Sequence, residues 1–258
     1  MESKINDKEK EHSRYNKVSG EKIHKPNNHL ELSGSISFRP YIQAPYIYYE
    51  KLLAQNVKPG MKVLDLCCGD GIHTITLAQL MAEVTALDIA ENSITLAKLR
   101  ALRVGIHNIE FYVGDAENLR LGDKKFDFVT CVGSLSYVDL TIFVSQVKIV
   151  LKPGGKFICL DSFNHNIIYR LNRFVQYLGG KRSWSTIKRM PNLATVDYFK
   201  NEFVNVEISY FGIFSFLGPL LSRFFGDKQA KEILDKLDKK FKIFNKYSFK
   251  FVLVATKT

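Results

Sequence analysis

Val63 to Thr74 reads VLDLCCGDGIHT. An apolar run carries an acid, Asp65; two cysteines follow; Gly69 and Gly71 then flank an aspartate, and the next residues can open a helix. In an open parallel sheet, ligands sit at the carboxyl ends of the strands, where the strand order reverses. A glycine turn there lets backbone come close to a ligand, and the following helix N-terminus favours a negative group. A second acid about 20 residues on can accept from a ribose hydroxyl pair. Asp88 fills that place at the end of its own apolar run, EVTALDI (83–89). A purely structural turn is one competing reading. A nicotinamide or flavin site is another, but that pattern wants G-x-G-x-x-G and the chain offers G-D-G-I-H-T; the Gly-Lys-Ser/Thr of a P-loop is absent.

Working outward, strand and helix patterns alternate. ENSITLAKLRALRVG (91–105) spaces Ile94, Ala97, Ala101 and Leu102 along one helical face, with Gly105 as a stop. NIEFYVGD and FDFVTCVG read as strands. DLTIFVSQVKIVL reads as a helix with Asp139 as its cap, KPGG ends it, and KFICLDS is the next strand. This rhythm predicts an α/β chain with a parallel sheet covered on both faces. Beyond Asp161 it changes: NHNIIYRLNRFVQYLGG is helical in spacing, KRSWSTIKRMPN is a basic loop, TVDYFKNEF a short helix, VNVEISYF a strand, DKQAKEILDKLDKKFKIF a lysine-rich amphipathic helix and YSFKFVLVATK a closing strand.

Five stretches in order resemble the class I S-adenosylmethionine-dependent methyltransferases, over about residues 55–161. VLDLCCGDG resembles the first motif, with Asp65, Gly69 and Gly71 matching and Cys67 in place of the first glycine, a departure shared with the quinone-methylating branch. That branch's further signatures are not found. VTALDI resembles the second motif, GDAENL the third, FDFVTCVGSLSYV the fourth, and LKPGGKF the turn before the fifth strand. The resemblance implies a Rossmann-like, seven-stranded, mostly parallel sheet with helices on both faces and an antiparallel last strand. It implies S-adenosylmethionine as cofactor and S-adenosylhomocysteine as product. It assigns cofactor contacts to Asp65, Cys67, Gly69, Gly71, Asp88, Ile89, Asp115, Ala116, Cys131 and Val132. The chemistry agrees: carboxylates and backbone N–H groups suit an amino acid end, a ribose and an adenine edge.

The 258 residues carry a formal net charge of +11, unevenly placed. Residues 31–161 hold 13 Lys/Arg against 14 Asp/Glu, whereas residues 162–258 hold 17 against 7 and 19 of the 32 aromatic residues. The organisation expected is a flexible tail over 1–30 and one domain over 31–258, with insertions near 162–195 and 212–246 covering an acceptor site. Such asymmetry points to an anionic partner. The polar N-terminus and the absence of a long apolar run lead us to expect a cytoplasmic chain with reduced cysteines, at most in peripheral contact with a membrane surface. No metal-ligand spacing is seen.

Methyl transfer from a sulfonium is an in-line displacement, served by alignment and water exclusion. A base is needed chiefly for a neutral hydroxyl or an ammonium. Candidate bases are His73, Tyr137, Asp139, Asp161 and His165; His73 reads better as packing and Asp139 as a cap, Asp161 and His165 follow the fifth strand at the correct end of the sheet, and His165 and Tyr137 are the catalytic residues to test. The aromatics around Tyr41, Tyr46 and Tyr48, with Arg170, Arg173, Lys181, Arg182, Lys188 and Arg189, are candidates for holding the acceptor. The expected acceptor is a small molecule, anionic or lipid- or sugar-linked, methylated on O or N. An RNA or protein substrate on the basic third is the alternative; no Asn/Asp-Pro-Pro-Tyr/Phe signature stands in the fourth motif, so nucleic acid is not the favoured partner.

Overall fold

A computed structural model describes residues 2–24, 30, 33–180 and 182–258. At its centre is a seven-stranded sheet in the order β3-β2-β1-β4-β5-β7-β6. The strands are β1 (Lys62–Leu66), β2 (Glu83–Asp88), β3 (Ile109–Val113), β4 (Phe126–Val132), β5 (Leu151–Ser162), β6 (Val204–Phe211) and β7 (Lys250–Thr256). β7 runs antiparallel to both β5 and β6, and the other pairings are parallel. The order reverses between β1 and β4, so the opening stretch leaves the sheet at its switch point.

Burial explains the apolar runs. Val63 to Leu66 are all buried because helices cover both faces of β1. Alternate residues of β5 feed two cores: Phe157 and Cys159 pack with Phe143, Phe199 and Phe251, while Ile158 and Leu160 pack with Tyr49, Leu53, Val63 and Leu77. The helices supplying these faces include α2 (Ala44–Asn56), α3 (Ile72–Gln79), α4 (Glu91–Arg103) and α5 (Leu140–Val150). Asp139 caps α5 by accepting from the N–H groups of Thr141 and Ile142. On α4, Ile94, Ala97 and Ala101 face inward as expected, but Leu102 is exposed and Arg100 is buried in its stead.

Much of the stretch expected as a flexible tail is helical among the described residues. Glu2–Ile23 is a helix, α1, docked against α4. Polar contacts hold it, which is why hydropathy gave no sign of it. Ser19 Oγ meets Ser93 Oγ at 2.9 Å, Asn16 accepts from the Asn92 backbone N–H at 2.9 Å, and Lys22 pairs with Asp70 at 2.9 Å. Gly20 permits the approach: a Cβ there would lie 3.0 Å from Asn92 Nδ2.

Beyond β5 come α6 (Ile167–Leu178), α7 (Trp184–Lys188), α8 (Leu193–Glu202) and α9 (Gly218–Lys240). The expected basic loop thus contains a helical turn, α7, started by the Ser183 side chain, which accepts from Thr186 N–H. α9 is broken at Gly226, which sits at φ 79. No helix among the described residues is long and apolar enough to cross a membrane.

Candidate active site

The turn after β1 is left-handed at Cys67 (φ 55), Gly69 (φ 55) and Gly71 (φ 78). Gly71 has no room for a side chain, since a Cβ would lie 2.9 Å from Ala97 Cβ on α4. Cys67 holds a conformation costing a non-glycine residue roughly 1–2 kcal/mol. Asp88, at the end of β2, organises the turn: its carboxylate accepts from Gly69 N–H and Ala90 N–H, both at 2.9 Å. Burial raises its pKa, and those two N–H groups pull the other way. Arg100 braces the turn from behind, donating through Nε to the Asp70 carbonyl at 2.8 Å and standing 3.5 Å from its carboxylate.

A cavity of about 290 Å³ opens over this turn, at the carboxyl ends of β1, β2, β3 and β4. Cys67, Gly69, Asp88, Ile89, Asp115, Ala116 and Val132 line it. Asp115 accepts from Glu117 N–H at 2.9 Å and pairs with Lys8, which reaches Glu117 as well at 3.2 Å. Lys8, Glu11, His12 and Tyr15 of α1 add to the lining. Another wall is aromatic. Tyr46 stacks on Phe38 at 3.8 Å and on His73 at 5.6 Å, and the Lys250 ammonium lies 5.2 Å from the Tyr46 ring centroid. Lys250 is 7% exposed. Burial, helped by Lys250, lowers the His73 pKa to about 4, so the ring is neutral at neutral pH; its Nδ1 has no hydrogen-bond partner among the described residues.

Three of the residues assigned to the cofactor are not on this cavity. Asp65 is 2% exposed, beneath the turn, where Thr74 and Thr130 hydroxyls donate to it at 2.6 and 3.0 Å. Burial raises its pKa to about 6. It fastens β1 to α3 and β4. Gly71 packs on α4, and Cys131 is buried in the core, its thiol against Cys67. All four cysteines are free thiols.

The catalytic and acceptor candidates divide likewise. Tyr137 lines the cavity, its hydroxyl accepting from Arg14 and Arg182 at 3.3 Å each. His165 does not: its Nε2 accepts from Leu193 N–H at 3.2 Å at the start of α8, and burial with Arg170 and Lys246 nearby lowers its pKa. Asp161 is spent on the N–H groups of Leu135 and Ser162. Tyr46 lines the cavity, whereas Tyr41 packs under Gly218 of α9 and Tyr48 accepts from Ser209 on β6. Arg182 arrives through Tyr137. Arg170 is exposed on α6, Arg173 lies 4.4 Å over the Tyr169 ring, and Arg189 sits beside Met190 away from the cavity. Lys188 and Arg182 line a separate basic groove with Lys10, Arg14 and Lys17. Lys181 lies outside the described residues. Sequence reasoning missed Phe38, Lys250 and the whole contribution of α1.

Residues 63–155 match the family model of a methyltransferase domain. A demethylmenaquinone methyltransferase of Bacillus cytotoxicus is 37% identical over 123 residues, 46% of this chain and 52% of that protein. The chain spans about half the length of such relatives. Among solved structures, Haemonchus contortus phosphoethanolamine N-methyltransferase 2 superposes with a TM-score of 0.58 at 18% identity, over 82% of this chain and 52% of that one. The cyclase SpnF does so at 0.57 and 18%, over 83% and 82%. These two likenesses concern the fold.

Proposed function

We propose that this chain, a class I S-adenosylmethionine-dependent methyltransferase by its fold and by the domain over residues 63–155, moves a methyl group from that cofactor to a small acceptor with a flat, largely apolar body. One observation carries the reading. A single cavity at the switch point joins Gly69, Asp88, Asp115 and Ala116 to an aromatic wall of Phe38, Tyr46 and Tyr137 with a buried cation, Lys250.

The residues fit the cofactor. Asp88 keeps lone pairs free after accepting two N–H groups, enough for a pair of vicinal hydroxyls. A Cβ built on Gly69 meets nothing within 4 Å, so its face of the turn is clear for close approach. Asp115 and the Ala116 N–H offer an acceptor and a donor to an adenine edge. When bound, the sulfonium supplies an electrophilic methyl group. The chain's part is alignment and exclusion of water, and α1 over the cavity serves the second. Lys250 places a positive charge where it would favour the ionised form of an acceptor hydroxyl, the form whose electron pair attacks the methyl group. His73, with its pKa near 4, is too weak a base to take up a proton at neutral pH, and its neutral ring offers one N–H donor and one acceptor nitrogen. Tyr137, gripped by two guanidinium groups, orients the acceptor. The relatives' name supports a quinone-type ring, which the stacked wall suits. A cavity roofed by α1 favours such a molecule over RNA or protein.

Calorimetry with S-adenosylhomocysteine tests the cofactor half: the wild type should bind, and Asp88→Ala should bind at least about tenfold more weakly, the loss of one or two charge-assisted hydrogen bonds. Tritiated methyl groups added to a cell extract should enter organic-extractable small molecules. Label confined to RNA or protein, or no binding at all, would reject the proposal.

A further inference from the structure

Helix α6 is built inside out. At 100° per residue, Ile167, Ile168, Leu171, Phe174, Val175 and Leu178 share one face, and all six are 43–72% exposed. The opposite face meets the protein. Tyr169 donates to Ser162 Oγ at 3.1 Å and stands edge-on to Phe249 at 4.5 Å, and Gln176 accepts from Arg182 Nε at 2.9 Å. Not one residue of α6 is buried. Contiguous exposed apolar patches of about 300–600 Å² are the largest a typical monomer shows and are often functional.

Its surroundings say what covers it. Asn166, the cap of α6, donates to the carbonyls of Ile213 and Tyr247 at 3.1 and 2.9 Å, which sets the turn Lys242–Tyr247 beside it, with Ile243 and Phe244 exposed. Both segments are free of acids. Residues 162–196 contain six Lys/Arg and no Asp/Glu, and residues 239–258 repeat that count. An apolar strip carried on two segments that supply Lys and Arg and no acid is the complement of an anionic bilayer surface. A second copy fits poorly, because a two-fold contact would set two acid-free basic rims against each other. The helix follows β5 at the same end of the sheet as the cavity, and Arg182 links its far end to Tyr137.

We propose that α6 and the adjoining turn Lys242–Tyr247 form a docking face for an anionic lipid bilayer. The six apolar side chains enter the headgroup boundary while Arg170 and Lys246 stay at the phosphates. Docking stands on its own. That it delivers an apolar acceptor to the cavity without passage through water rests on the function proposed above.

The full chain is sedimented with phosphatidylcholine vesicles, with and without phosphatidylglycerol, at low and high salt. The wild type should pellet with the anionic vesicles at low salt and be released by high salt. Leu171→Glu/Phe174→Glu should cut the bound fraction at least about tenfold; both sites are exposed, so circular dichroism and the melting midpoint should match the wild type. Absence of wild-type binding, equal binding by the variant, or a dimer in sedimentation velocity that the variant splits would overturn the proposal. S-adenosylhomocysteine binding, measured on the same samples, should be equal in both proteins; its absence would sink the proposed function and leave the vesicle result standing.

Discussion

Replacing His73 with Phe should remove a defined pH dependence of stability. The ring lies parallel to Tyr46 at 5.6 Å and Phe38 at 6.0 Å and edge-on to Tyr49 at 5.8 Å, so Phe can take its place. Folding lowers the imidazole pKa from 6.5 to about 4. The folded state therefore binds fewer protons than the unfolded chain between those values. The stabilising contribution is complete above 6.5, is lost as the pH falls, and is gone below 4. From about pH 7 to about pH 5 that linkage removes about 2 kcal/mol. Asp65 works in the opposite direction. Its pKa rises from 3.8 to about 6, so its contribution is complete below 3.8 and is lost as the pH climbs through 6. Over the same interval it returns about 1 kcal/mol on acidification. The wild type thus masks part of the His73 effect, and the informative quantity is the difference between wild type and variant. Urea unfolding at both pH values should show His73→Phe gaining about 2 kcal/mol on the wild type at the acid end, roughly 4–8 °C in midpoint. An identical difference at both pH values would refute a buried neutral imidazole at this wall.

Three further outcomes follow from the geometry. Gly71→Ala puts a Cβ 2.9 Å from Ala97 at φ 78 and should lower the melting midpoint by roughly 4 °C or more in scanning calorimetry, with cofactor-product affinity falling as the turn shifts. Arg100→Leu removes the donor to the Asp70 carbonyl and leaves Lys22 as the cation on its carboxylate; it should cost about 1–3 kcal/mol in urea unfolding, and S-adenosylhomocysteine affinity should drop although Arg100 does not line the cavity. Tyr137→Phe removes the oxygen that Arg14 and Arg182 share; turnover should fall and the acceptor KM rise, while S-adenosylhomocysteine affinity stays within about twofold in calorimetry.

The turn after β1 was legible because its demands fall on consecutive residues: an apolar strand, then left-handed positions, then a helix. Asp88 and Asp115 were legible because each stands where its strand ends. For Asp65, the motif records which residue is present and not which way its side chain points. Within β1 both faces are buried, so its carboxylate turned to Thr74 and Thr130. Arg100 sits in a helix among other charges and reads as a solvated residue, yet only the fold brings Asp70 to it. Lys250 opens a terminal strand, where a lysine ordinarily marks the protein's edge, but the neighbouring aromatics close over it. α1 was invisible because its interface is made of Asn, Ser and Lys, and hydrophobic periodicity is the signal such a helix lacks.

The outward stripe of α6 has the same root. Periodicity revealed its apolar stripe correctly, with Ile167, Leu171, Phe174, Val175 and Leu178 in phase, and we expected a cover over the acceptor site. A hydrophobic face, however, has no sign: the pattern is identical whether the stripe turns toward the protein or away from it. What breaks the tie is the opposite face. Tyr169 finds Ser162 and Phe249 outside the helix and Gln176 finds Arg182, polar and aromatic contacts that orient α6. Once they are satisfied, the apolar stripe has nowhere to go but outward. The charge asymmetry between the two parts of the chain then stops being a property of composition, because the acid-free segments are the ones that flank the outward stripe.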